Sequence, residues 1–262
     1  MVSSTWIKTV AFSFLFSLSF ACSTTPNTPT GVQKKSPEER AKLMVEAANA
    51  AMIEGDPIGA LQFLKSAEDL DSSLPSIYHA KALAFNMRKD LPQALIEMKK
   101  SVDLDPKSSA ANNTYGKLLL DAGKYSEAEA YLKKAAEDPT FRESFKARTS
   151  LGMLYYRENK LDQADSQLEK ASFDDPNNSC IAYYYRGHVA MKRGQNPEAI
   201  KYYERATQKL CAGFADAHFA LGVAYEREKK WDEARKKYLE VKQNFSESKA
   251  AEQAMKRLSK LP

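Results

Sequence analysis

Three cysteines and three histidines are the residues from which this sequence would have to build a metal site or a nucleophile–base pair: Cys22, Cys180 and Cys211, and His79, His188 and His218. Their spacing builds neither. The histidines fall in three widely separated segments, with no His-Glu-x-x-His and no paired Cys/His spacing of the kind that zinc ligation demands. No Gly-rich phosphate loop and no Gly-x-Ser-x-Gly elbow accompanies them. Without a nucleophile, a base and an orienting group in one constellation, the sequence predicts no catalytic residue, no metal site and no cofactor. The cysteines point to two other chemistries, acylation and disulfide formation.

Cys22 closes a segment with the character of a signal. Lys8 provides a positive start, and residues 10–20 are an apolar run of Val, Ala, Phe and Leu broken only by Ser. About a dozen apolar residues is too short to cross a hydrocarbon core of ~30 Å as a helix and suits a signal-peptide h-region over residues 1–21. Ser19-Phe20-Ala21-Cys22 resembles the bacterial lipobox, in which the cysteine is lipidated and becomes the first mature residue. Ser19 stands where Leu is favoured, with Leu18 one place early, so an ordinary secretory signal cleaved nearby is the other reading. Ser23 rather than Asp after the cysteine is what the resemblance to bacterial lipoproteins associates with the outer membrane. Residues 22–36 are small, polar and proline-bearing (Pro26, Pro29). They read as a flexible tether of roughly 20 Å r.m.s. span, so that contact with membrane is expected through the lipid anchor alone.

What must position everything else is a periodic element. Ala60, Ala94, Ala128, Ala164, Ala199 and Ala234 are separated by 34, 34, 36, 35 and 35 residues, the period of a two-helix repeat. Gly123-Lys124-Tyr125-Ser126-Glu127-Ala128 is followed by Leu132 and Ala135, and Leu161-Asp162-Gln163-Ala164 by Leu168, Ala171 and Pro176. Upstream stand Leu151-Gly152 with Tyr155, Arg186-Gly187, and Leu221-Gly222 with Tyr225. This pattern resembles the tetratricopeptide repeat. The resemblance implies an all-α, right-handed superhelical solenoid of six repeats over residues 37–245, closed by a C-terminal capping helix over 246–262. The small Gly and Ala let the first helix of each repeat (A) approach the second (B), and the large residues fill the space between repeats, which must stack to bury them. The first copy is degenerate, with Met44, Ala47, Ala48 and Ala51 at the usual positions, and the third carries Asn112 where a bulky residue is usual.

The punctuation agrees. Ser36-Pro37-Glu38-Glu39 is a helix start with a capping box. Asp103-Leu104-Asp105-Pro106 and Asp174-Asp175-Pro176 end B helices, with Ser108 or Asn177 able to cap the next helix. In the last segment Ala250, Ala254, Leu258 and Leu261 share one face that covers the final repeat, while Lys249, Glu252, Lys256, Arg257 and Lys260 face water. The formal net charge of +5 is mild. Its cations alternate with acids, as in Glu226-Arg227-Glu228-Lys229-Lys230, so a solvated face is predicted and no nucleic-acid partner.

Cys180 and Cys211 bracket the fifth repeat, at the start of its helix A and just after its helix B. An antiparallel hairpin brings those ends together, so a disulfide closing a loop of ~30 residues and two separate buried thiols are both open readings. His218 takes a bulky core position, whereas His79 and His188 project toward the inner side.

In solenoids of this kind, helix A positions 2, 5, 9, 12 and 13 line the concave face. The first two repeats there present Val45, Asn49, Met52, Ile53, His79, Leu83, Asn86 and Met87. A second lining comes later in the chain, in Met153, Tyr156, Tyr184, His188, Met191, Phe219 and Val223. Apolar, Met-bearing linings suit an amphipathic helix or a short apolar segment of a protein partner. A partner, or the chain's own tether or terminal helix, is what would fill each. The Lys/Asn clamp with which chaperone-binding members of the repeat family hold a C-terminal carboxylate is absent: Val45 replaces the Lys, although Asn49 fits. A cytosolic chaperone adaptor is therefore not expected.

The whole combination resembles the PilF/PilW/Tgl group of type IV pilus pilotins, outer-membrane lipoproteins of Gram-negative bacteria. Ala111-Asn112-Asn113-Thr114-Tyr115-Gly116 and Phe141-Arg142-Glu143-Ser144-Phe145-Lys146-Ala147-Arg148 carry the local likeness, with the two extra residues between repeats three and four. The resemblance implies a location on the periplasmic face of the outer membrane. It also implies binding of secretin subunits and help in placing or multimerising the pore they form. A scaffold lipoprotein of another envelope pathway, outer-membrane protein insertion or cell-wall synthesis, is the alternative.

Overall fold

The computed structural model describes residues 35–262; the signal segment, Cys22 and the tether as far as residue 34 lie outside the described residues. Ser36 accepts from the Glu39 N–H through Oγ at 3.1 Å while Glu39 Oε2 accepts from the Ser36 N–H at 2.7 Å. This reciprocal capping box starts α1 (Pro37–Ile53), which pairs with α2 (Pro57–Leu70). Four further hairpins come next: α3 (Pro75–Met87) with α4 (Leu91–Leu104), α5 (Ser109–Asp121) with α6 (Tyr125–Glu137), α7 (Ser144–Arg157) with α8 (Leu161–Asp174), and α9 (Cys180–Lys192) with α10 (Asn196–Arg205). The sixth is α11 (Ala215–Arg227) with α12 (Trp231–Asn244), after which comes the short α13 (Lys249–Leu258). The fold is an all-α solenoid. No helix among the described residues is long and apolar enough to cross a membrane.

Within each hairpin one contact sets the spacing. Gly152 of α7 lies so close to α8 that a Cβ there would meet Leu168 Cγ at 2.4 Å and the Ala164 carbonyl oxygen at 3.3 Å. Gly187 of α9 meets α10 in the same way, with Tyr203 Cε1 at 2.4 Å from a built Cβ. Ala164, Leu168 and Tyr203 are themselves almost wholly buried. In the first two repeats Ala48 and Ala82, fully buried, occupy the position of these glycines. The absence of a side chain thus lets the B-helix Leu or Tyr lie flat on the A-helix backbone.

Each hairpin turn contains one residue in the left-handed region, whether glycine (Gly123, φ 75°; Gly194, φ 74°) or not (Lys89, φ 64°; Asn159, φ 59°; Lys229, φ 56°). The bonds around Asn159 explain it. Asn159 N–H donates to the Tyr156 carbonyl at 3.1 Å and Lys160 N–H to that of Tyr155 at 2.8 Å, the paired bonds of a Schellman turn. Successive A helices touch one another, α1 with α3, α5 with α7 and α7 with α9, and so line the inner side of the solenoid.

Some sequence expectations change. Ser108 caps α5, accepting from the Ala111 N–H at 3.3 Å, but Asn177 caps nothing. Instead Asp175 folds the loop by accepting from the N–H groups of Asn177 and Asn178 at 3.3 and 3.1 Å, and α9 begins at Cys180, beyond the reach of an Asn177 cap. Asn112 is buried, donating Nδ2 to the carbonyls of Pro106 and Ser108 at 3.0 and 2.8 Å, so its amide staples the preceding loop where a bulky apolar side chain is usual. His218 is in the core as expected, with Nε2 3.0 Å from the Ala212 carbonyl. The terminal helix is shorter than the 246–262 segment: Ser248 caps it, and Ala250, Ala251 and Ala254 bury against Tyr238 and Val241.

The fifth repeat differs from the rest. Its B helix, α10, has ten residues against thirteen or fourteen in the others. The chain leaves it through a 3-10 turn, Lys209–Cys211. That turn brings Cys211 back to the first residue of α9, and the two sulfurs are bonded with Cα atoms 5.4 Å apart.

The close approach and the disulfide are each open to test. Gly152→Val should destabilise by about 2 kcal/mol, because overpacking outweighs the helix-propensity gain of about half a kcal/mol; hydrogen exchange should show the lost protection in α7 and α8, and unchanged protection would contradict the close approach. Replacing Cys180 and Cys211 together by Ser should cost about 3–4 kcal/mol in denaturant unfolding, the loop-entropy value for a closed loop of this length. A variant as stable as the parent, or free thiols at both positions in non-reducing peptide maps, would contradict the bond.

Candidate protein-binding groove

The two linings expected from the sequence have different fates. Val45 is not on the inner surface: it is 7% exposed and packs with Ala41, Ala48, Leu64 and Ala84. The cause is the direct contact of α1 with α3, which covers this position of the first repeat. Met52 leans against the same core. His79 is half-buried, its Nε2 3.1 Å from Thr114 Oγ1, and burial pulls its pKa below the usual imidazole value. Asn49, Ile53, Leu83, Asn86 and Met87 remain exposed, Ile53 most of all at 88%.

The second lining gathers into one cleft of about 660 Å³, bordered by Tyr156, Tyr184, His188, Met191, Phe219 and Val223. Its walls are α7, α9 and α11, the A helices of the last three repeats, so residues four apart on one helix and 35 apart along the chain converge on it. Met153 is the exception. It lines a neighbouring cleft of about 880 Å³ with Asn113, Lys117, Thr149 and Ile181, all from the A helices of repeats three to five.

The floor of the first cleft is an aromatic cluster around His188. The His188 ring centroid lies 4.2 Å from that of Tyr184, 5.9 Å from Tyr156 and 5.6 Å from Tyr203. Its Nδ1 is 2.9 Å from the Tyr203 hydroxyl. Desolvation by these rings, helped by the Lys192 charge, pushes the imidazole down to about 4, so it is neutral near pH 7. Burial likewise raises the hydroxyls of Tyr156, Tyr184 and Tyr203 above the usual tyrosine value. The floor is therefore uncharged, and its rings meet edge to face at Tyr184 and His188. No cluster of three or more His, Cys, Asp or Glu among the described residues is arranged to hold a metal ion.

Sequence reasoning missed the rim. Lys192 and Arg227 end α9 and α11 and border the cleft, as do Gln253 and Arg257 of α13. Lys192 Nζ lies 4.1 Å from the Tyr156 ring centroid. Arg257 is exposed, as helical periodicity predicts, and donates to Glu226 at 3.0–3.1 Å, and through it and Gln253 the capping helix also borders the cleft. Lys192 and Arg227 were legible, since both occupy position 13 of their repeats; the contribution of α13 depends on how it docks, which no repeat frame specifies.

Comparison with known proteins places this architecture. Models of the tetratricopeptide repeat match residues 119–185 and 184–249. A Dictyostelium discoideum protein named STIP1 homolog is 27% identical over 152 residues, 47% of this chain and 27% of its own length. The type IV pilus assembly protein PilF of Pseudomonas aeruginosa is 26% identical over 145 residues, 55% of this chain and 57% of its own. The chain thus spans only about a quarter to somewhat over half of these curated relatives. The crystal structure of PilW, described as a widely conserved type IV pilus biogenesis factor, superposes with a TM-score of 0.74 at 19% identity, covering 82% of this chain and 98% of PilW. A solved structure of Pseudomonas aeruginosa PilF gives 0.71 at 20%, covering 85% and 100%. With its glycine-spaced hairpins, Schellman turns and two adjoining matches, the chain belongs to the tetratricopeptide-repeat proteins and resembles the type IV pilus assembly factors PilF and PilW.

Proposed function

We propose that this chain is a membrane-tethered scaffold that captures another protein in the cleft of repeats four to six and serves as a pilotin in type IV pilus biogenesis. The observation that carries the protein-binding part is the open cleft whose floor gathers the half-buried rings of Tyr156, Tyr184, His188 and Phe219 and which no described segment of the chain fills. The pilus assignment draws support from the likeness to PilF in sequence and to PilW and PilF in fold. In this reading acyl chains on Cys22 hold the cleft at the outer membrane, and a tether of roughly 20 Å keeps captured secretin subunits at high local concentration there. Protein capture needs no catalytic group, and the neutral His188 serves as part of the floor.

The first lining is the second candidate: Val45 has joined the core and His79 is half-buried, while Asn49, Ile53, Leu83, Asn86 and Met87 stay exposed. Comparing the two is a direct test. Met191→Glu should lower capture of secretin from solubilised outer membranes by the full chain at least tenfold with little change in melting temperature, and Leu83→Glu should lower it less. Equal capture by parent and Met191→Glu would remove the cleft from the reading. Deleting the gene should deplete heat-resistant secretin multimers on gels and abolish twitching, and Cys22→Ala should abolish palmitate labelling and release the protein from membranes. Multimers unchanged by the deletion would end the pilotin assignment.

A further inference from the structure

The cleft of repeats four to six is electrically lopsided, and the imbalance specifies what it takes. Four charged residues line it: Lys192, Arg227, Arg257 and Asp216. Arg257 is neutralised by Glu226. Lys192 touches only neutral acceptors, the Tyr156 carbonyl at 3.5 Å and Asn159 Oδ1 at 3.3 Å. Arg227 has no side-chain hydrogen bond or ion pair to any described residue. Two uncompensated cations thus stand together at the C-terminal ends of α9 and α11, while Asp216 sits at the start of α11.

A cation at the end of a helix has an ordinary explanation, its attraction to the helix dipole. The repeats themselves argue against that being sufficient here. Position 13 is Ile53, Met87 and Asp121 in the first three repeats and Arg157, Lys192 and Arg227 in the last three, so the helix end does not require a positive charge. Arg157 has internal work, donating to the Leu120 carbonyl at 2.9 Å with Asp121 at 3.7 Å. Lys192 and Arg227 border the aromatic cleft and lack such a carboxylate.

We infer that this cleft binds a short acidic–apolar peptide segment: a large apolar side chain on the floor of Tyr184, His188, Met191 and Phe219, and an Asp or Glu side chain against Lys192 and Arg227. The inference rests on the cleft being the protein-binding site. Arg227 follows Asp216 by eleven positions on α11, roughly 16 Å at the helical rise. About five extended residues cover that length. The acidic residue therefore lies within about five positions of the apolar anchor. Asp216 disfavours a second acid at the far end, which fixes the end of the cleft that the acidic side chain occupies.

The test uses the full chain as bait for a phage library of random linear 12-residue peptides. Enriched peptides should carry a large apolar residue within five positions of Asp or Glu. The best of them, made synthetically, should bind the Lys192→Glu/Arg227→Glu variant at least tenfold more weakly and the Lys192→Gln/Arg227→Gln variant to an intermediate degree. Both side chains lie at the rim rather than in the core, so melting temperatures should stay near that of the parent. Enrichment of basic or uncharged peptides, or equal affinity for parent and charge-reversed chain, would overturn the inference and leave protein capture by the cleft standing. No enrichment at all would overturn both. Binding of the parent to phosphatidylglycerol vesicles, lost in the charge-reversed variant while peptide affinity is kept, would reassign the two cations to a lipid surface and overturn the inference.

Discussion

The structure depends on the nearness of two helix backbones within each repeat. A bare Cα at Gly152 or Gly187 lets Leu168 or Tyr203 lie on the A helix itself, and fully buried alanines such as Ala164 and Ala199 complete the seam. Close-packed interiors tolerate little adjustment at such a contact. Once it is fixed, the remaining large side chains can be buried only against a neighbouring repeat, and stacking is the consequence. Schellman turns then close each hairpin at a similar length, which is why the alanine period hardly varies.

Stacking also creates the cleft. Because A helices contact A helices on the inner side, their positions 5, 9 and 12 from adjacent repeats are drawn together, with the B-helix Tyr203 closing the floor beneath His188. In repeats four to six those positions include Tyr156, Tyr184, His188, Met191 and Phe219, and the result is a neutral aromatic floor with positive residues along one edge. In repeats one and two the same positions are Val45, Asn49, Met52, His79, Leu83 and Asn86, with two amides and no tyrosine or phenylalanine. There α1 lies against α3 and takes Val45 into the core, so a single frame produces a cleft at one end and an ordinary surface at the other.

Legibility in the sequence divides along the same line. The period, the hairpin pairs, the capping box at Ser36, the core role of His218 and six of the seven residues of the second lining are properties of repeat position, and position is written in the alanine and glycine spacing. Asn177 escapes that logic because the loop before α9 is organised by the Asp175 carboxylate, a local competition that residue types alone do not decide. Val45 escapes it because its burial depends on how closely α3 approaches α1, a tertiary matter that repeat position does not decide. Arg257 lies in water as its helical face predicts, and only its ion pair with Glu226 depends on how α13 docks.

The fifth repeat shows how binding surface and stability meet. Its A helix, α9, supplies Tyr184, His188, Met191 and Lys192 to the cleft. Its B helix is the shortest of the six, so less of α9 is held by the usual seam. The Cys180–Cys211 bond restrains the first residue of α9. A helix pinned there keeps its rings in place before a ligand arrives, and less of the entropy of ordering them is charged to the binding step. The covalent bond, of a kind that persists in oxidising compartments, thus belongs where the hairpin is weakest and the surface most in need of a fixed shape.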